Sequence, residues 1–106
     1  DYNAGVCFDA GHWHAFFDDK LDFMAFEDRI FAVHFHDNDK SDDLHLLPFD
    51  GTIDWKKVVT NLKRANYKGA VTLEPTYRYD YLNLELEEFY KKGRDIGMKL
   101  AEMVGE

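Results

Sequence analysis

Ile30-Phe31-Ala32-Val33-His34-Phe35-His36 is the stretch on which the fold turns. From Ile30 to Phe35 it is apolar save for His34, rich in β-branched and aromatic side chains, and close to continuous rather than alternating. A strand covered on both faces reads this way, as in a parallel sheet. Two shorter runs read alike, Gly5-Val6-Cys7-Phe8 upstream and Ala70-Val71-Thr72-Leu73 downstream. Helical patterns lie between and after them. Asp54 stands as an N-cap ahead of Trp55, Val58, Val59, Leu62 and Ala65 at helical spacing, and Gly69 precedes the third run. A long helix follows near Asn83, with Leu86, Phe89, Tyr90, Gly93, Ile96, Gly97 and Leu100 on one face. Glu85, Glu87 and Glu88 near its start and Lys91, Lys92 and Arg94 further on suit the helix dipole. A weaker helix is predicted over about Asp22 to Asp28, where Phe23, Met24 and Phe26 are dense. The order is β-α-β-loop-α-β-α, so the chain reads as an α/β protein of parallel β-α units. The longest irregular segment, Asp37 to Gly51, is crowded with polar groups, and loops of that kind are functional or disordered.

The chain has 106 residues, enough for one domain or a piece of one. Hydrophobic residues make up 45% and aromatics 16%, which sets it apart from disordered compositions. No run approaches the ~20 apolar residues of a membrane helix. No basic stretch followed by an apolar one marks a secretory signal. The expected address is cytoplasmic, with no membrane partner. The chain opens on Asp1 rather than Met, which suggests an internal cut, a processed protein or an incomplete chain. A net charge of −8 repels phosphate backbones and argues against nucleic acid as a partner. Acidic residues in a cleft suit a divalent cation instead. Cys7 is the only cysteine, which rules out a disulfide within the chain. Its setting, Val6-Cys7-Phe8, predicts a plain buried thiol.

The candidate chemical groups all fall at or just beyond the C-terminal ends of the three strands. Asp9 and His12 follow the first, His34 and His36 end the second, and Glu74 ends the third. In parallel α/β folds active sites form at this end, because the βα loops converge there. Asp9 and His12 form D-x-x-H, a carboxylate and an imidazole able to share one Mn²⁺ or Zn²⁺. The plainer alternative is an Asp capping the next helix beside a surface His. His34 and His36, two apart on a strand, point to the same side. His14 reads as a pocket wall or surface residue. Asp43 and His45 form D-x-H in the polar loop and would bind a second metal, touch substrate or simply be solvated. Asp37, Asp39 and Asp42 read mostly as solvated neighbours. Glu74, between an apolar run and Pro75, needs a partner on burial, either a metal or an arginine such as Arg78.

In combination, F-D-A-G-H, V-H-F-H-D-N-D, D-L-H-L-L-P-F-D-G-T-I-D-W and Y-K-G-A-V-T-L-E-P resemble the sugar phosphate isomerase/epimerase family. That family belongs to the xylose-isomerase-like TIM barrel superfamily, related to the type-IV apurinic endonucleases. The resemblance runs over residues 5–75. It implies the last three β-α units of a (β/α)8 barrel, with residues 1–106 as the C-terminal part of the domain. It further implies a divalent metal ion (Mn²⁺, Zn²⁺, Mg²⁺ or Co²⁺) on Asp9, His34 and Glu74, with His36 in reserve for His34. The superfamily's first glutamate ligand, expected on the preceding strand, has no counterpart here. The family's usual P-G before the loop's second glycine is Pro48-Phe49-Asp50-Gly51 here. By the same resemblance Glu74, or the missing glutamate, and His12 are catalytic, and His12, His36, Asp43 and His45 contact substrate or, as in the endonucleases, a metal for His12 and a further zinc for Asp43 and His45. The implied reaction is isomerisation or epimerisation of a small sugar or sugar phosphate by proton transfer through an enediolate. The rivals are an endonuclease-like hydrolase and an inactive binding module. Taken alone, three such strands leave open edges and an open apolar face, so self-association is expected, and so is little or no turnover.

Overall fold

The structure, a computed structural model, describes residues 3–105. Three parallel strands, β1 (Val6–Asp9), β2 (Ile30–Phe35) and β3 (Thr72–Leu73), form one sheet in chain order. Helix α1 (Ala10–Phe16) follows β1, α2 (Trp55–Arg64) precedes β3, and α3 (Leu86–Gly105) closes the chain. Single 3-10 turns cover Phe23–Phe26 and Tyr79–Asn83.

Strand β2 has the predicted limits. Its partners are Phe8 for Val33 and Asp9 for His34 on one side, and Thr72 for His34 and Leu73 for Phe35 on the other. Phe8, Val33 and Phe35 form one buried cluster with Trp55, Val58, Val59, Leu62 and Leu100 of α2 and α3. Ring contacts tie it together, Phe35 to Trp55 at 5.0 Å and Phe8 to Trp13 at 5.7 Å. Asp54 caps α2 through Lys57 N–H (3.1 Å), and Asn66, in the left-handed region at φ 65°, ends it. Its neighbour Tyr67 N–H returns to Leu62 O at 2.9 Å, the bond that closes a left-handed helix end.

Several expectations need correcting. The strands are covered on one face only: the helices cover Phe8, Val33 and Phe35, whereas Cys7, Ala32 and Thr72 on the opposite face are exposed. Cys7 is therefore not a buried thiol. Strand β3 is shorter than the Ala70–Leu73 run, because the Ala70 carbonyl accepts the Tyr67 hydroxyl (2.5 Å). Asp22–Asp28 holds a 3-10 turn capped by Asp22, and its dense aromatics bury only Phe23. The helix directly after β1 matches the plainer alternative for Asp9, a helix cap, although its seven residues with a glycine carry no full amphipathic period. The long helix begins three residues after Asn83, which itself ends a 3-10 turn. Among the described residues no helix is long and apolar enough to cross a membrane.

Candidate metal centre

Register places the site. Asp9, His34 and Thr72 are lateral neighbours across the sheet, and partners in a parallel ladder share a face. One step further, Glu74 N–H bonds Phe35 O at 2.8 Å and brings the Glu74 carboxylate alongside. Asp9, His34 and Glu74 thereby gather ligand atoms within 4.8 Å of one another. His34 Nδ1 lies 3.1 Å from Glu74 Oε2 and 4.0 Å from Asp9 Oδ2.

A second group adjoins the first: His12, His36, Asp43 and His45. His12 spans the two, with Nδ1 3.2 Å from Asp9 Oδ2 and Nε2 3.1 Å from Asp43 Oδ2. His45 Nε2 lies 3.2 Å from the same Asp43 oxygen, and its Nδ1 reaches Glu74 O at 2.9 Å and Oε1 at 3.7 Å. Glu74, His34, Asp9, His12, Asp43 and His45 thus form a closed ring of alternating carboxylates and imidazoles. His45 holds its place with φ 52°, a left-handed backbone that non-glycine residues adopt at a cost and that clusters at functional sites.

Asp9 serves twice. Its Oδ1 accepts His12 N–H (2.8 Å) as the N-cap of α1 and also accepts His36 Nε2–H (2.8 Å). The plain reading of D-x-x-H as a helix cap is therefore correct, and the same carboxylate faces the ligand group. Burial pushes the Asp9 carboxyl up, but the bonds from His36 and the His12 backbone and the charges of both imidazoles hold it below the usual carboxylate range. His34 and His36 both reach Asp9 but differ in setting: the His34 side chain is 43% exposed and that of His36 is fully buried. Glu74 takes His34 and His45 as partners rather than Arg78, whose guanidinium lies over the Tyr79 ring.

The donor set fits a divalent cation. Three carboxylates and four imidazoles offer the mixed O/N ligation that Mn²⁺, Co²⁺ and Zn²⁺ accept. Two buried atoms within the array, His36 Nδ1 and Asp43 Oδ1, have no hydrogen-bond partner among the described residues and stand 3.9 Å apart. Buried acceptors left this way are costly unless something positive lies near them.

The loop that carries Asp43 and His45 is organised by Asp37, the one of the three acidic neighbours that is not solvated. Asp37 is fully buried. Its Oδ1 accepts from Asn38 N–H (2.8 Å) and Ile53 N–H (3.1 Å). Its Oδ2 accepts from Phe49 N–H (3.0 Å) and Trp55 Nε1–H (2.8 Å). Gly51 lies so close that an added Cβ would overlap Asp37 Oδ1 and Asn38 O. Asp39 and Asp42 are exposed, as expected. His14 is also buried, contrary to its reading as pocket wall or surface, and is held by Asp19 (2.6 Å) and Thr52 Oγ1 (2.7 Å). The available signal for Asp37 was an acid directly after an apolar strand with a glycine and a tryptophan downstream.

Residues 1–99 match the model of the xylose isomerase-like TIM barrel family. The chain belongs to that family. As part of a xylose isomerase-like barrel, the three-stranded parallel sheet and its open end have a ready place. An uncharacterised protein of Sinorhizobium fredii is 38% identical over 103 residues, covering 95% of this chain and 32% of that protein. The inosose isomerase of Halalkalibacterium halodurans is 29% identical over 106 residues, covering 93% of this chain and 37% of that protein. The crystal structure of a D-tagatose 3-epimerase-like protein superposes with a TM-score of 0.62 at 26% identity, covering 99% of this chain and 37% of that one. The chain spans about a third of the length of these xylose isomerase-like relatives.

Proposed function

We propose that this chain supplies part of the active site of a divalent-cation-dependent isomerase or epimerase acting on a small sugar or sugar phosphate. Residues 1–106 are read as the C-terminal part of that barrel domain. The observation that carries the reading is the meeting of Asp9, His34 and Glu74, from three adjacent parallel strands, at one open end of the sheet. Relatives named for inosose and D-tagatose support a sugar-type substrate.

Isomerisation of this kind moves a proton at a carbon next to a carbonyl. Glu74 is the base. Its side chain is 45% exposed, and His34 and His45 hold its two oxygens from different sides. His12, 40% exposed, is steadied between Asp9 and Asp43 and orients a substrate hydroxyl. Asp43 and His45 back His12 and complete the polar wall. A divalent cation held by Asp9, His34 and Glu74 would supply Lewis-acid polarisation of the substrate oxygens.

Calorimetric titration with Mn²⁺ tests the reading. Glu74→Gln keeps the shape but removes one charge from the group, and affinity should fall by about 10-fold or more. Unchanged affinity would remove Glu74 from the site.

A further inference from the structure

His36 belongs to the second ligand group but also bonds a member of the first. Its ring is fully buried, away from any substrate on the open face. Nε2 donates to Asp9 Oδ1 at 2.8 Å, and that oxygen also takes the His12 N–H. A carboxylate oxygen offers two lone-pair sites, so Oδ1 is filled. Turning the carboxylate about its Cβ–Cγ bond would break both bonds at once. Oδ2 is left toward His34 Nδ1 (4.0 Å) and His12 Nδ1 (3.2 Å).

The ring is itself fixed. It lies flat on His45, with centroids 3.9 Å apart and planes 5° from parallel. Gly11 also presses on it, where any Cβ would overlap the ring. Nε2–H is the donor to Asp9, and Nδ1 has no hydrogen-bond partner among the described residues. Among the described residues the one hydrogen bond that orients the imidazole is that to Asp9.

We propose that His36 is a positioning residue for Asp9. Its Nε2–H pins Oδ1 to the start of α1, so that Oδ2 alone is presented to the cation group shared with His34 and Glu74. The inference rests on the metal reading of that group. Partners of this kind fix ligand orientation, and their loss weakens metal binding about 10–100-fold.

Two measurements on the chain test it. Nitrogen-15 histidine NMR of the unsubstituted chain should show His36 as the Nε2–H tautomer; an Nδ1–H tautomer would leave Asp9 without its donor and overturn the proposal. Mn²⁺ calorimetry then compares His36→Gln with His36→Asn. The glutamine amide nitrogen falls where Nε2 lies, whereas the shorter asparagine reaches only the Nδ1 position. Gln should keep affinity within about three-fold, and Asn should lose about 10–100-fold. Equal losses in both would show that a donor at the Nε2 position does not carry the effect, and a Gln variant that loses more than Asn would make Nδ1 the working atom and His36 a ligand in its own right; either overturns the proposal. An Asn variant that binds as the parent does also overturns it. Circular dichroism checks the fold of each variant, and the tautomer decides the question should a variant not fold. A parent chain that binds no Mn²⁺ would sink the metal reading and leave the tautomer result standing.

Discussion

Replacing Asp37 by asparagine should be among the most damaging near-isosteric changes available to this chain. The carboxylate accepts two N–H groups on each oxygen, all at 2.8–3.1 Å and all from a fully buried position. Asparagine turns one of those oxygens into an NH₂ donor. Whichever way the amide flips, one pair of buried N–H groups faces a donor instead of an acceptor. Each unsatisfied buried donor costs about 1–3 kcal/mol, so the pair costs about 2–6 kcal/mol. A domain of this size holds roughly 5–15 kcal/mol in all. Urea unfolding followed by tryptophan fluorescence is the assay, and Trp55, itself a partner of Asp37, reports directly. With a slope of about 1.5 kcal/mol/M the midpoint should fall by at least about 1 M. Asp39→Asn is the control, since Asp39 is exposed and bonds only its neighbour Ser41, and it should move stability by less than about 0.5 kcal/mol. If the two variants unfold at the same urea concentration, Asp37 does not hold the loop and the reasoning fails.

Alkaline titration probes the other clamp on this loop. Tyr81 accepts Leu47 N–H (2.8 Å) and donates to Asp50 (2.6 Å), and burial together with the Asp50 carboxylate raises its phenol well above the ordinary value. A raised folded-state pKa means that stability is intact below the unfolded value of about 10 and is lost as pH climbs toward the folded one. Tyr81→Phe should therefore flatten the alkaline loss of stability, and identical pH profiles for parent and variant would contradict this. Self-association is expected as well, because Val6 (39%) and Phe31 (46%) are exposed and the outer edges of β1 and β3 pair with no strand among the described residues. Light scattering coupled to size exclusion should show a dimer or larger species, and a clean monomer at high micromolar concentration would refute it.

What the sequence revealed tracks how local the determinants are. Strand β2 and helix α2 were legible because one is a six-residue apolar run and the other carries its own cap and stripe. Convergence of Asp9, His34 and Glu74 followed from strand ends alone. Helix α1 was legible only as the alternative of an Asp9 cap, because its start is fixed by that cap rather than by periodicity. The burial of Asp37 and of His14 was not legible for a related reason. Their burial depends on partners 12–18 and 38 positions away, Phe49 to Trp55 for one and Thr52 for the other, and spacing carries no trace of such pairings. Exposure of Cys7 belongs to the tertiary level too, since an apolar run does not say which of its faces the helices will take.

The double duty of Asp9 shapes how this position can change over generations. Asparagine and serine cap helices about as well as aspartate, so either would keep α1 intact while discarding the negative charge. Glutamate would do the reverse, keeping the charge but reaching past the cap. If Asp9 holds the proposed cation, a descendant can surrender that role at residue 9 in a single step without disturbing the scaffold. Regaining that chemistry requires aspartate itself, the one side chain that meets both demands. Loss is easy and return is narrow, which favours the survival of folded but silent copies of this unit.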